Sequence, residues 1–417
     1  MSLPPLTLTR RLLPLGLVFL AAGLSLALVG PFLALFLSTS VDAGPLKVTV
    51  FLVVAPLAGV ATSWAIGRVS DRRPMRRLLL IIASIAGVIG CGLAAVIRDY
   101  WALLALTTTA FAVAGALFPQ TFAYAREVLQ RDDPGRAALG ISALRTVFSL
   151  AYVGGPPIAA LLLSHGGFTA VFATAAAMYA LATLVAFGWL SEVEAPAAPG
   201  PDQPPPVPAP AASRVRIWLT VAAFTLMQAP MVLGVQALAL FIEHDLHGSV
   251  GDAGLILGLC AALEIPLMLG LGLLTRRISV RALILAGSAC GVIYSAIVFG
   301  APAVWVLLAA QIVNALYIAS VSSLGITYVQ DMMPAEPGRA TTLFTNTFPI
   351  GQIMAGPLLG LAQHTDYRWA YAMNFALCLL GMLLLLVTRP AASGSTLPLR
   401  RARASGADVP AGDRRPA

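Results

Sequence analysis

The chain has 417 residues, of which 59% are hydrophobic and 11% charged, and its mean hydropathy is +0.87. Soluble globular domains carry roughly a quarter of their residues as charges, so these proportions exclude a water-soluble enzyme and predict a chain solvated by lipid. The net charge is +8, but the basic clusters sit on short segments without interleaved aromatics, which argues against a nucleic-acid partner.

Runs of about 20 apolar residues are long enough to cross a bilayer as helices. In chain order they fall at 12–39, 46–66, 77–97, 101–124, 137–163 and 168–190, then at 217–242, 253–274, 282–300, 303–328, 340–362 and 369–388. The expected fold class is therefore all-α integral membrane, with twelve transmembrane helices. Thr9-Arg10-Arg11 before the first run has the form of a twin-arginine export signal, but that run exceeds a signal's apolar region and eleven more follow. Residues 191–213, rich in Pro and Ala, read as an extended cytoplasmic linker. Residues 391–417 read as a disordered cytoplasmic tail. A six-helix bundle at 1–190 and another at 214–390 remain.

With the N-terminus in the cytoplasm, all but four of the 26 basic residues fall on cytoplasmic segments, as the positive-inside rule requires. Lys47, Arg98 and Arg368 fall on the other side, and Arg145 lies within a span. Trp101, Trp189, Trp218 and Trp369 sit near span ends, where an aromatic belt belongs. Cys91, Cys260, Cys290 and Cys378 lie far apart inside spans and read as small buried hydrophobes, with no zinc spacing and no disulfide framework.

The halves repeat one another. Asp133-Pro134-Gly135-Arg136-Ala137 recurs as Glu336-Pro337-Gly338-Arg339-Ala340, in each case between the fourth and fifth spans of a half. Gly155-Pro156 recurs as Gly356-Pro357 inside those fifth spans. Gly67-x3-Asp71-Arg72-Arg73 recurs, degraded, as Gly272-x3-Arg276-Arg277. Three matches at nearly one offset predict two pseudo-symmetric six-helix bundles, an architecture typical of transporters with a substrate site at the repeat interface.

The order of spans, the central linker and 67-GRVSDRRPMRR-77 resemble the major facilitator superfamily. Gly67, Asp71, Arg72 and Arg76 match its loop motif, while Pro74 replaces the second glycine. The stretches 122-FAYARE-127, 143-ALRTVFSLAYVGGPP-157, 262-ALEIP-266, 311-QIVNALYI-318 and 340-ATTLFTNT-347 resemble the bacterial sugar efflux transporters more narrowly. The resemblance implies a bacterial inner-membrane carrier, with Gly67, Asp71, Arg72 and Arg76 as a cytoplasmic latch. Gly155-Pro156 and Gly356-Pro357 partly resemble an antiporter motif that bends the fifth helix of a half, and both pairs are expected to act in gating. Ordinary close packing is the alternative for them.

Of the 18 acidic residues only Glu264 lies mid-span, and Arg145 is its only basic counterpart. Charges at bilayer depth are costly and face a cavity or a partner. Arg145 lies about 12 Å and Glu264 about 15 Å from the cytoplasmic end of its span at 1.5 Å per residue. The resemblance makes spans 5 and 8 neighbours across the halves, so the two residues are expected to pair or exchange there. Burial favours a neutral carboxyl and a nearby guanidinium favours a charged one. A motion that joins and parts them would therefore couple transport to protons. A static bridge and direct contact of Glu264 with substrate are the alternatives.

A sugar needs hydroxyl-matching groups in an otherwise apolar pocket. The resemblance has spans 1, 4, 7 and 10 lining the cavity. Candidates are Gln120 on span 4, Gln228 and Gln236 on span 7, Gln311, Asn314 and Tyr317 on span 10, and Asn346 and Gln352 on span 11. Gln311, Asn314 and Tyr317 follow each other at spacings of three and are expected to share a face. Amides of this kind also join helices to one another. His244-x-x-His247 has metal-like spacing without further ligands, so no metal site is expected. No Walker A, HExxH or Gly-x-Ser-x-Gly sequence appears, so no enzyme, no cofactor and a proton gradient as energy source are expected. The sequence thus predicts a monomeric, proton-coupled exporter of sugars or glycosides, with multidrug efflux or a non-transporting membrane sensor as alternatives.

Overall fold

The structure is a computed structural model that describes residues 5–72, 75–132, 137–192, 213–333 and 336–388. Most of the linker and the whole tail therefore lie outside the described residues, as do the side chains of Asp71, Arg72 and Arg145. Among the described residues every regular element is helical. In bilayer hydrocarbon a helix satisfies its own backbone hydrogen bonds, which is why these apolar runs adopt it.

The N-terminal half begins with α1, which runs from Pro5–Val29 through a tight turn at Gly30–Phe32 into Leu33–Thr39. It continues with α2 (Pro45–Arg72) and α3 (Arg76–Ala94). Helix α4 (100–132) starts at Tyr100, capped by the Asp99 carboxylate on Ala102 N–H at 2.8 Å, and widens into a π-turn at Thr107–Phe111 before running on to Asp132. The stretch Ala137–Trp189 holds two spans, α5 (137–166) and α6 (168–189), broken at Gly167. That residue has φ 61°, which glycine adopts without a Cβ penalty.

The C-terminal half holds α7 (Arg214–His244), α8 (Val250–Leu274), α9 (Val280–Phe299) and α10 (Val304–Met332). Serines cap three of them: Ser213 starts α7, Ser279 starts α9, and Ser249 forms a reciprocal capping box with Asp252 at α8. Helix α11 comes in two pieces, Pro337–Thr345 and Thr347–Thr365, and α12 (Arg368–Val387) closes the bundle. Among the described residues ten stretches are long and apolar enough to span a membrane; one of them contains both α5 and α6, and with α11 the helices number the expected twelve.

The sequence repeat has a structural counterpart. At the start of α3, Arg77 donates to the carbonyls of Ala186 and Phe187 at the end of α6. At the start of α9, Arg281 donates to the carbonyls of Leu385 and Leu386 at the end of α12. Each guanidinium satisfies carbonyls that a helix C-terminus leaves orphaned, where the helix dipole also favours a cation. Each half is thus stapled at its arginine-rich end by an equivalent contact.

The halves meet at the opposite end. There α5 packs on α8, α2 on α11, and the turn in α1 on α7. A Cβ on Gly254 of α8 would stand 2.7 Å from the Pro156 carbonyl, and one on Gly258 would stand 2.8 Å from the Val153 carbonyl. On the pseudo-equivalent crossing, a Cβ on Gly356 of α11 would stand 3.1 Å from Val53 of α2. Toward the arginine-rich end, Gly59 and Gly67 on α2 and Gly270 and Gly272 on α8 have open space where a Cβ would be. The close approaches between the halves thus gather at that end, the closed end of the molecule.

Within the C-terminal half, a Cβ on Gly291 of α9 would come 2.7–2.9 Å from the Tyr317 ring of α10. That ring is pinned, because its hydroxyl donates to the Met227 carbonyl of α7. Overpacking of this kind costs about 1–3 kcal/mol. Gly291→Ala is therefore expected to lower the melting temperature of the purified protein by several degrees. Gly270→Ala, with free space and better helix propensity, is expected to leave it unchanged or raise it.

Candidate substrate cavity and intramembrane acid

A cavity of about 320 Å³ lies beneath the closed end. Its walls come from α1, α2, α3, α4 and α6, and its boundary with the other half from α7 and α11. Phe36, Phe51, Phe111, Phe172 and Tyr179 give it aromatic faces. Thr107, Gln236 and Gln352 bring hydroxyl and amide groups to an otherwise apolar surface. The π-turn of α4 puts both Thr107 and Phe111 on the wall, and such turns recur at functional sites.

Of the eight polar residues expected to bind substrate, Gln236 and Gln352 line this cavity. Gln236 also reaches across the halves: its Nε2 donates to Gly30 O at 3.1 Å and its Oε1 accepts from Ala34 N–H at 3.3 Å. Gln120 and Gln228 are buried, Gln228 against Gly351 of α11. Asn346 sits exposed at the joint between the two pieces of α11. On α10 the three residues do not all face one way. Asn314 Nδ2 donates to Gln311 Oε1 at 3.0 Å, whereas Tyr317 is buried inside the C-terminal half against α7. Two steps of three residues accumulate about 120° around a helix of 3.6 residues per turn, which separates Gln311 from Tyr317.

Glu264 is half-buried on α8 and belongs to a second polar group. The Cys260 thiol, one turn earlier, donates to Glu264 Oε1 at 3.6 Å, and Asn314 Nδ2 donates to Cys260 Sγ at 3.4 Å. Tyr152 of α5, in the other half, lies close enough to interact electrostatically with the carboxylate. The acid therefore faces the boundary between the halves. The contacts of Gly254 and Gly258 set the antiparallel register of α5 and α8. Extending it brings Glu264 level with Phe148 and leaves Arg145 about one turn, or about 5 Å, nearer the arginine-rich end.

The expected gating residues separate into two places. Arg76 Nε pairs with Glu127 Oε1 at 2.6 Å, joining α3 to α4 within one half. Gly67 faces open space. Gly155 lies against Ala27 of α1, Pro156 meets α8, and Gly356 meets α2; Pro357 follows within α11. The Gly-Pro pairs thus sit at the two pseudo-equivalent crossings of the closed end. Glu127, Tyr152 and Cys260 escaped the sequence reading. Cys260 alone carried a usable signal, since it stands four residues before Glu264 and so shares its face.

At the closed end, the carboxyl of Asp245, just after α7, lies beside that of Asp366 between α11 and α12, with Arg368 and His244 nearby. His244 stacks on Tyr367 with ring centroids 5.3 Å apart.

A profile of the Major Facilitator Superfamily matches residues 15–235 and 223–411. The chain belongs to the major facilitator superfamily. It is 36% identical to a Deinococcus radiodurans protein provisionally named a sugar efflux transporter, over 91% of this chain and 98% of that one. It is 33% identical to sugar efflux transporter A of Dickeya chrysanthemi, over 90% of this chain and 93% of that one. Among solved structures it resembles a variant of the nucleoside transporter NupG, with a TM-score of 0.75 at 14% identity over 91% of this chain and all of that one. The protein is a multi-pass membrane transporter.

Burial and the adjacent Asp366 carboxyl push Asp245 up from 3.8 to about 6. The folded protein therefore holds a proton there at pH values where the unfolded chain has released it. The stability this contributes is full below the unfolded value and is lost as pH rises through about 6. Between about pH 4 and 7, thermal melts should show wild type losing stability relative to Asp245→Asn as pH rises. Equal slopes would contradict the assignment.

Proposed function

We propose that this protein is a proton-coupled exporter of sugars or glycosides in the bacterial inner membrane, working as a monomer by alternating access. Both termini and the arginine-rich loops face the cytoplasm in this reading, so the structure corresponds to an inward-open state. The names of its relatives supply the substrate class. The cavity suits it, because aromatic faces and a few amides and hydroxyls are what a polyhydroxylated ring requires. Protons and the substrate are its small-molecule partners and the bilayer its solvent, with the proton gradient standing where a cofactor would.

The observation that carries the coupling is Glu264, a mid-membrane acid at the boundary between halves. Its Cys260 contact holds it toward α10 in this state. Rocking of α8 against α5 would exchange that contact for Arg145, and the register of the two helices supports the exchange. Protonation then tracks conformation, because the carboxyl is neutral when desolvated and charged when paired. The residues of the 2–3 loop motif, Asp71 and Arg72 with Arg76, would close the cytoplasmic side once the halves rock. A second reading, multidrug efflux by the same antiport, is favoured by the mainly apolar cavity wall.

Uptake of radiolabelled methyl glucoside into inverted vesicles, with and without an imposed proton gradient, tests the reading. Gradient-dependent uptake is expected in wild type, with loss of the gradient's effect in Glu264→Gln. Dependence that survives the substitution would remove Glu264 from the mechanism. Gradient-driven uptake of cationic dyes but not the glucoside would favour the second reading.

A further inference from the structure

The turn in α1 holds an arrangement that the transport reading leaves unused. In a continuous α-helix, Gly30 O would accept from Ala34 N–H. Here the turn tightens, and Gly30 O accepts from Leu33 N–H instead. Ala34 N–H donates to Gln236 Oε1, while Gln236 Nε2 donates to Gly30 O. One side-chain amide from the opposite half therefore stands between the donor and acceptor of a single helical hydrogen bond. Insertion of a side chain into the ladder is a recognised cause of a helix break. Gly30, Leu33 and Gln236 line the cavity, so the break lies at the edge of the substrate space, with Ala34 buried just behind it.

We propose that the Gly30–Ala34 break is a hydroxyl-binding subsite which Gln236 fills while the outer gate is shut, so that an incoming sugar releases the gate by displacing Gln236. The site asks for one donor and one acceptor. A hydroxyl offers both, and adjacent ring hydroxyls offer them from two atoms, so a neutral polyhydroxylated ring matches what the amide supplies. Gln352 on α11 and Thr107 on α4 line the same cavity for its other hydroxyls. Substrate binding and gate closure then compete for the same two backbone groups. A ligand shifts a conformational equilibrium only through such differential affinity. With Gln236 withdrawn, α1 either closes its own ladder or holds substrate, and the two halves lose a hydrogen-bonded tie at the closed end. This inference rests on the sugar-transporter reading for its ligand but not for the latch itself.

The experiment uses right-side-out membrane vesicles and a membrane-impermeant maleimide. The reporter is Ala55→Cys, a cavity position on α2, with Cys91→Ala removing the native thiol of the cavity. Outside labelling then reports opening of the outer gate. Gln236→Leu is expected to raise the labelling rate about tenfold, the order of two lost hydrogen bonds. Gln236→Glu should label slowly at about pH 5, where a protonated carboxyl both donates and accepts. At about pH 8 it should label fast, since a carboxylate has no proton for Gly30 O. The Gln236 parent carries the same remaining cavity titratable groups, Tyr179 and the reporter thiol whose thiolate reacts with the maleimide, so the Gln236→Glu rates are read as ratios to the parent at each pH. Methyl glucoside should raise labelling of the Gln236 parent several-fold and leave Gln236→Leu unchanged.

A Gln236→Leu rate equal to the parent's, or a Gln236→Glu profile parallel to it, overturns the latch. A glucoside that inverted vesicles accumulate but that leaves labelling unchanged overturns the subsite. If no sugar is accumulated, the sugar reading fails with the subsite, while the two Gln236 variants still decide the latch.

Discussion

Close approach of backbone to backbone at two crossings governs what this molecule can do. Helix α5 lies on α8 through Gly254 and Gly258, and α11 lies on α2 through Gly356 and Gly360. Inside a bilayer there is little hydrophobic drive between helices, so association depends on small residues that let main chains approach. Both crossings sit at one end, and the pseudo-symmetry relates them. A rigid-body rotation of one half on the other can therefore open both together while the arginine staples keep each half intact.

The costs of polar groups explain where the remaining chemistry lies. A carboxylate in hydrocarbon is tolerated where it has partners or a cavity, and Glu264 has a thiol on its own helix and a tyrosine across the boundary. An unpaired peptide group in lipid is similarly costly, yet α1 breaks its ladder at Gly30 and recovers the bonds from Gln236. Both devices stand at the seam between halves. Movement of the halves would change the surroundings of both, as a carrier needs if binding is to be linked to movement.

Much of this was legible in the sequence because lipid imposes a simple code. Apolar run lengths gave the twelve spans, and the Gly-Pro and Asp-Pro-Gly-Arg repeats gave the two halves. Glu264 stood out through its composition alone. Less was readable where side-chain direction decides. Gln311, Asn314 and Tyr317 have helical spacing but diverge around the helix, and Tyr317 uses its hydroxyl to join α10 to α7. Gln236 looked like a cavity amide, and nothing in its neighbourhood of sequence told that it would enter the ladder of α1, 202 to 206 positions away. The equivalence of Arg77 with Arg281 is hidden in the sequence because the degraded repeat matches on the neighbouring Arg276 and Arg277 instead.

The central claim is that two rigid halves rock about a seam, closing one end as the other opens. Electron-spin distance measurements test it directly, with labels at Leu46→Cys and Thr365→Cys across the closed end and at Arg68→Cys and Arg276→Cys across the open end. On adding methyl glucoside under a proton gradient, the account predicts that the first distance lengthens while the second shortens. Distances that move in the same direction, or that stay fixed in protein shown to transport, would contradict it.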